Sequence, residues 1–164
     1  MNTSQQTFIQ HIQEHEKLLY KVCHVYASDA EDIRDLFQEI ILQAWSGFAR
    51  FRGESSVSTW LYRVALNTAV VHKRKQAKHQ SVTAVDFFAI DIADKMPAAY
   101  AEEYKLLQQM IHSLPPLDKA LILLYLDDRP HTEIADILGI STSNVGTKLG
   151  RIKDKMKKQA QHYR

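Results

Sequence analysis

Apolar residues recur at helical spacing through nearly the whole chain, and this pattern predicts an all-α protein. It is clearest from Ser28 to Lys78, which reads as two amphipathic helices joined by a short loop rich in glycine and serine. In the first of these, Ile33, Leu36, Phe37, Ile40, Ile41, Ala44, Trp45 and Phe48 recur at steps of three and four and are expected to face a core. Ser28 and Glu31 have the spacing of a capping box at its start. Asp35, Gln38 and Glu39 fall on the far side, with Leu42 among them. One exposed leucine needs no explanation. A leucine ringed by acids and an amide also has the composition of a contact patch, and periodicity leaves both readings open.

The remaining elements follow from the same pattern. A helix over about Ser4 to Ala27 places Phe8, Ile12, Leu19, Val22, Cys23 and Tyr26 inward. The loop from Arg50 to Ser56 offers serines to cap the next helix. That helix carries Trp60, Leu61, Val64, Ala65 and Thr68 inward, with Tyr62, Arg63, Asn67 and Arg74 on other faces, and ends in a basic cluster of Lys73, Arg74, Lys75 and Lys78. From residue 79 to about Pro97 the period fails, and the stretch SVTAVDFFAIDIADKMP reads as a linker. About 20 residues reach at most roughly 65 Å when extended. Tyr100, Tyr104, Leu107, Ile111 and Leu114 then predict a helix stopped at Pro115-Pro116, followed by a short apolar helix over Leu117 to Leu126. The expected organisation is two small helical domains, 1–79 and 98–164, joined by a flexible linker over 80–97.

The last segment has the spacing of a helix-turn-helix. Ala135 stands where the helices cross, Gly139 at the turn and Val145 as an aliphatic anchor, with Ile134, Leu138, Ile140, Leu149 and Ile152 packing around them. Ser141 caps a second helix beginning at Thr142, whose outward positions include Ser143, Asn144, Thr147, Lys148, Arg151 and Lys155. In such a motif the start of the second helix meets base edges in the major groove, and its cations neutralise phosphates. A plain helical hairpin with a solvated basic face is the competing reading; the turn spacing favours DNA. Gly146 and Gly150 share one face of this helix and cost roughly 1 kcal/mol each against alanine. They either allow close approach to DNA or to the rest of the domain, or mark weakened base reading, and the last is slightly favoured. Pro130 suits a first helical turn, with Asp128 as its cap.

Composition narrows the class. With 164 residues, 45% hydrophobic and 24% charged, the chain is expected to be soluble and globular. No apolar run approaches the roughly 20 residues of a membrane span, and the start MNTSQQTF has no signal-like region. The lone Cys23 rules out an internal disulfide and a thiolate cage, and its apolar setting suits a buried thiol. A net charge of +2 is too small to name a partner. His11 and His15 form the one histidine pair at i, i+4 and lack an acidic third ligand, so no metal is expected. No phosphate-binding glycine loop or nucleophile–base pair is present, which argues against an enzyme and against a cofactor.

Five motifs, in order, carry a family resemblance. They are Asp35-Leu36-Phe37-Gln38-Glu39, then Phe51-Arg52-Gly53-Glu54, then Thr59 to Ala65 with Asn67, then Leu114-Pro115, then Glu133-Ile134-Ala135 through Leu138-Gly139-Ile140-Ser141. From about residue 8 to 158 the chain resembles a sigma factor of the extracytoplasmic-function group, the minimal two-domain members of the sigma-70 family that give bacterial RNA polymerase its promoter choice. The resemblance implies a cytoplasmic protein whose partners are core polymerase, through its β′ clamp helices and β flap, and promoter DNA; an anti-sigma factor is a further partner many members have. It assigns Asp35, Gln38, Glu39 and Leu42 to the β′ clamp helices. It assigns Phe51, Arg52, Gly53, Glu54 and Ser55 to a loop that captures a flipped base of the minus-ten element, a task that needs stacking and backbone hydrogen bonds. Trp60, Arg63, Asn67, Lys73 and Arg74 would follow the unwound strand, although packing is the better reading of Trp60. Ser141, Thr142, Ser143, Asn144, Thr147, Lys148, Arg151 and Lys155 would read the minus-thirty-five duplex. A spacer of about 17 base pairs spans roughly 58 Å, within the linker's reach. The alternative is a free-standing helix-turn-helix regulator acting as a dimer on duplex DNA, indifferent to changes at Asp35 or Leu42.

Overall fold

The computed structural model describes residues 2–77 and 97–163; the linker expected over 80–97, Pro97 aside, lies outside them, as does Lys78. Among the described residues there are eight α-helices, one 3-10 turn and no strand. The chain divides into two compact units, Met1–Thr83 and Ala84–Arg164, and the division falls outside the described residues.

In the first unit, α1 (Thr3–Glu14) and α2 (Glu16–Tyr26) replace the single helix expected over this stretch. The break is at His15, where the ring Nδ1 donates to the His11 carbonyl at 2.8 Å while the backbone N–H shares the His11 and Ile12 carbonyls. Two donors converge on one carbonyl, and the helix ends there. α3 (Ala30–Phe48) and α4 (Val57–Ala77) complete the unit. Leu19, Val22, Cys23, Tyr26, Leu36, Ile40, Ala44, Leu61, Ala65, Leu66 and Ala69 pack at its centre. Burial of this kind supplies about 25 cal/mol per Å² of apolar surface removed from water, the main support of a small bundle. Two expectations fail here. Trp45 is 42% exposed, because the buried stripe of α3 centres on Leu36, Ile40 and Ala44. Tyr62 is fully buried, because α2 and α3 both pack on α4 and enclose a wider arc than one neighbour would.

The start of α3 also differs from the expected capping box. Asp29, not Ser28, is the N-cap, its carboxylate accepting from the Asp32 backbone N–H at 2.7 Å. Ser28 instead donates its backbone N–H (2.8 Å) and its hydroxyl (3.1 Å) to the carboxylate of Asp32. That carboxylate is buried and also accepts from Gln76 Nε2 at 2.6 Å and from His72 Nε2 at 2.7 Å, both on α4. Burial disfavours its charge, but the bonds from Ser28 and His72 outweigh this and hold the carboxyl below its ordinary value. Beside it, burial, and secondarily the Asp32 charge, push the Cys23 thiol up to about 12, so Cys23 is a neutral packing group.

In the second unit a 3-10 turn (Ala98–Tyr100) leads into α5 (Ala101–His112). Tyr100, one of the apolar positions that predict this helix, lies in that turn and is 61% exposed. α6 (Pro116–Leu126) carries Pro116 in its first turn, where the missing N–H costs nothing. The turn after it is held by Arg129, which bonds Glu133 at 2.7 Å and Asp127 at 3.5 Å. Asp128 stands in the left-handed region at φ 56° and caps nothing; Pro130 precedes α7 (His131–Leu138) without a side-chain cap. Gly139, at φ 69° and ψ 35°, ends α7 in a conformation that glycine adopts without penalty. Ser141 then caps α8 (Thr142–Gln161), accepting from the Asn144 N–H at 3.1 Å. Val145, Leu149, Ile152 and Met156 bury one face of α8, and Lys153 Nζ sits 3.9 Å over the Tyr125 ring of α6.

The two glycines of α8 are not demanded by this packing. A Cβ at Gly146 would meet only His131 Nδ1 at 3.9 Å, and one at Gly150 would meet nothing within 4 Å. Close approach to the rest of the domain is thereby removed as their reason. Gly146→Ala and Gly150→Ala are each expected to stabilise the chain by up to about 1 kcal/mol, seen as a higher melting temperature; a loss of stability at either would show a contact the packing does not contain. Asp32→Asn places an amide N–H₂ against other donors and should cost about 2 kcal/mol at neutral pH, or a fall in Tm of roughly 10 °C. Because the native carboxyl is held low, the stability it supplies is present above the ordinary carboxylate range and is lost as pH falls through the lower native value. Thermal melts from pH 7 downward should therefore show wild type and Asp32→Asn converging in acid.

Candidate interfaces on the two helical units

On α3, Leu42 is 66% exposed, and Asp35 and Gln38 beside it are exposed as well. The helix turns these side chains outward because Leu36, Ile40 and Ala44 take the buried face. Glu39 is placed differently: its carboxylate lies 3.4 Å from His72 Nδ1 of α4, with the side chain 38% exposed. Trp45, one turn beyond Leu42, extends the apolar part of the surface and packs edge-on to Phe8 of α1 at 5.0 Å. Sequence periodicity misses Trp45 because its three- and four-residue partners are apolar and it scores as core.

After α3 the chain turns tightly, Arg50 and Phe51 donating to the Gly47 and Phe48 carbonyls. Phe51 stacks on Trp60 at 4.9 Å, and Phe48 lies 6.1 Å from the same indole. Trp60 is thus half-buried in an aromatic stack that joins the loop to α4, which supports packing as its first task. Arg52, Gly53 and Glu54 are exposed at the tip, and Gly53 adopts φ 73°, a left-handed turn. Ser55 is half-buried and donates to the Ser56 carbonyl at 3.3 Å, while Ser56 caps α4 by accepting from the Thr59 N–H at 3.1 Å.

Along α4, residues 60, 63, 67 and 74 lie at steps of three, four and seven, so Trp60, Arg63, Asn67 and Arg74 share one side of the helix. Val71, 46% exposed, continues that line and carries no charge by which sequence inspection would single it out. Lys73 lies off it. Its Nζ is shielded from solvent without a hydrogen-bond partner among the described residues, so the structure separates Lys73 from the other four.

On α8, Asn144, Lys148, Arg151 and Lys155 follow steps of four, three and four and form one stripe. Lys148 is half-buried and the other three are exposed. Ser143 and Thr147 lie on the neighbouring stripe, joined by a 3.1 Å bond from the Thr147 hydroxyl to the Ser143 carbonyl, and Thr142 is exposed at the helix start. Gly150 and Asp154 continue the Ser143 stripe. Lys153 is held by Tyr125 and stands apart. Among the described residues no group of three His, Cys, Asp or Glu side chains could hold a metal, and no helix is long and apolar enough to cross a membrane.

Family models match both units, sigma-70 region 2 over residues 11–79 and sigma-70 region 4 over residues 104–156. The chain is similar to the RNA polymerase sigma factor YlaC of Bacillus subtilis, 30% identical, with 91% of this chain and 87% of that protein covered. It is similar to the ECF RNA polymerase sigma factor SigW of the same organism, 26% identical, with 94% and 89% covered. Among solved structures, the sigma factor RpoE of Bartonella quintana, in complex with the anti-sigma factor NepR, matches with a TM-score of 0.69 at 15% identity, covering 97% of this chain and 99% of that one, a likeness of fold. With region 2 in its first unit, region 4 in its second and relatives matched nearly end to end, the chain belongs to the extracytoplasmic-function group of the sigma-70 family and is a sigma factor directing promoter-specific transcription rather than a free-standing helix-turn-helix regulator.

Proposed function

We propose that the α3 surface of Asp35, Gln38, Glu39 and Leu42 docks on the clamp helices of the polymerase β′ subunit, and that the two units divide promoter recognition. The observation that carries the docking role is Leu42, two-thirds exposed in a ring of carboxylates and an amide. An apolar centre with a charged rim suits a protein partner. The tip Arg52-Gly53-Glu54, with Phe51 and Ser55, takes the minus-ten base. Because Phe51 already stacks on Trp60, the base is held at the edge of that stack. Arg63, Asn67 and Arg74 then follow the displaced strand. The second unit presents Ser141, Thr142, Ser143, Asn144 and Thr147 to base edges and Lys148, Arg151 and Lys155 to phosphates of the minus-thirty-five duplex, and also meets the polymerase β flap. The polymerase performs the chemistry in the cytoplasm, and this chain selects the site. An anti-sigma factor, the kind of partner with which the matched Bartonella protein is in complex, is a further partner of this chain, and its binding is the corresponding off state.

Run-off transcription with core polymerase on genomic promoter fragments tests the whole reading. Leu42→Arg combined with Asp35→Ala is expected to abolish co-purification with core polymerase and run-off product while leaving helical circular dichroism unchanged; retained co-purification would remove the docking role. Lys148→Ala with Arg151→Ala should weaken binding to the minus-thirty-five duplex and lower the slope of log K against log salt by about two, one per lost phosphate contact. An unchanged slope would exclude those contacts.

A further inference from the structure

His72 sits between two carboxylates on α3. Its Nε2 is 2.7 Å from Asp32 Oδ1 and its Nδ1 is 3.4 Å from Glu39 Oε2. Asp32 and Glu39 are seven residues apart, hence on nearly the same face of α3 and about 10.5 Å apart along its axis. Helical side chains lean toward the N-terminus, so the longer glutamate reaches back to the ring that the aspartate already holds. The imidazole is largely buried, with 14% of the side chain exposed, whereas Glu39 keeps 38%. A carboxylate can only accept, and a neutral imidazole donates from only one nitrogen. Both contacts are satisfied together only when the ring carries both protons.

We infer that His72 is a positioning residue for polymerase docking: as an imidazolium it clamps Glu39 to α4, presenting the outer carboxylate oxygen on the Leu42 surface in one orientation. The inference rests on the docking role proposed above. Among the described residues, Asp32 and Glu39 face the ring from α3 and Gln76 from its own helix at 3.2 Å, while the Cys23 thiol of α2, which is neutral, interacts with Asp32. Asp32 is stably ionised by its bonds to Ser28 and His72, so it keeps the ring in place when Glu39 is released. Loss of one proton therefore frees Glu39 rather than dismantling the helix contact. A free glutamate must lose rotamer freedom on docking, a cost the clamp removes beforehand.

The test uses the full chain and core RNA polymerase, with affinity measured at about pH 6 and about pH 8.5. Wild type should bind about fivefold more tightly at the lower pH, relative to the same ratio for His72→Gln, whose amide can hold Asp32 but cannot gain a charge. His72→Ala should bind about fivefold more weakly than wild type at pH 6, and His72→Ala/Glu39→Ala no more weakly than Glu39→Ala alone. Additive losses, or a His72→Gln profile that matches wild type, would overturn the inference. Nitrogen chemical shifts of the His72 ring in the unmodified chain supply a measure independent of any variant's folding: two protonated nitrogens at pH 6 are expected, and a singly protonated ring overturns the clamp. Leu42→Arg in the same binding assay separates the two levels. If it binds normally, the docking role fails; if it abolishes binding while His72→Gln matches wild type, only the clamp fails.

Discussion

The Asp32 carboxylate is buried where the α2–α3 turn meets the start of α3 and the end of α4, and it accepts from Ser28, His72 and Gln76 at once. An ionised group so placed is tolerated only when its bonds are complete, because an unpartnered buried charge would shift its pKa or expel the helix. Completing them ties three separate segments together. α3 is thereby held in register with α4, and the outward face of one helix acquires a defined relation to the outward face of the other. The apolar core supplies most of the stabilisation, but it tolerates small rotations that a carboxylate bonded on three sides does not.

That constraint explains why the first unit can present two different surfaces. One side of α3 carries Leu42 with its polar ring; one side of α4 carries Arg63, Asn67 and Arg74. The aromatic contacts from Phe8 through Trp45 and Phe48 to Trp60 and Phe51 connect α1, α3, the loop and α4 without polar groups. An exposed loop tip is held in one place only by a rigid foundation beneath it. Here the stack is the foundation and Arg52-Gly53-Glu54 the tip.

The second unit solves a simpler problem with local chemistry. Gly139 reverses the chain in a left-handed conformation, Ser141 caps the next helix two residues later, and Ala135 on α7 and Val145 on α8 are both buried. The flank at Gly146 and Gly150 is open among the described residues of the unit. Of their two remaining explanations, close approach to DNA and weakened base reading, each concerns a partner and not the fold.

Where a feature depends on residues near one another in the chain, the sequence alone specifies it. The all-α class, the helix-turn-helix with its glycine and serine caps, the serine cap on α4 and the outward Leu42 all follow from spacing within a few turns of helix. The motifs that mark the family are local in the same sense. Only the tertiary structure decided the rest, because it depends on which helices meet. Periodicity puts acids outside and cannot foresee Asp32 buried against partners 40 and 44 residues away. It assigns Tyr62 to another face because it cannot count the neighbours of α4, and Trp45 to the core because it cannot locate the centre of the α3 stripe. Glu39 reads as a free surface acid until His72 is brought to it across the packed pair of helices.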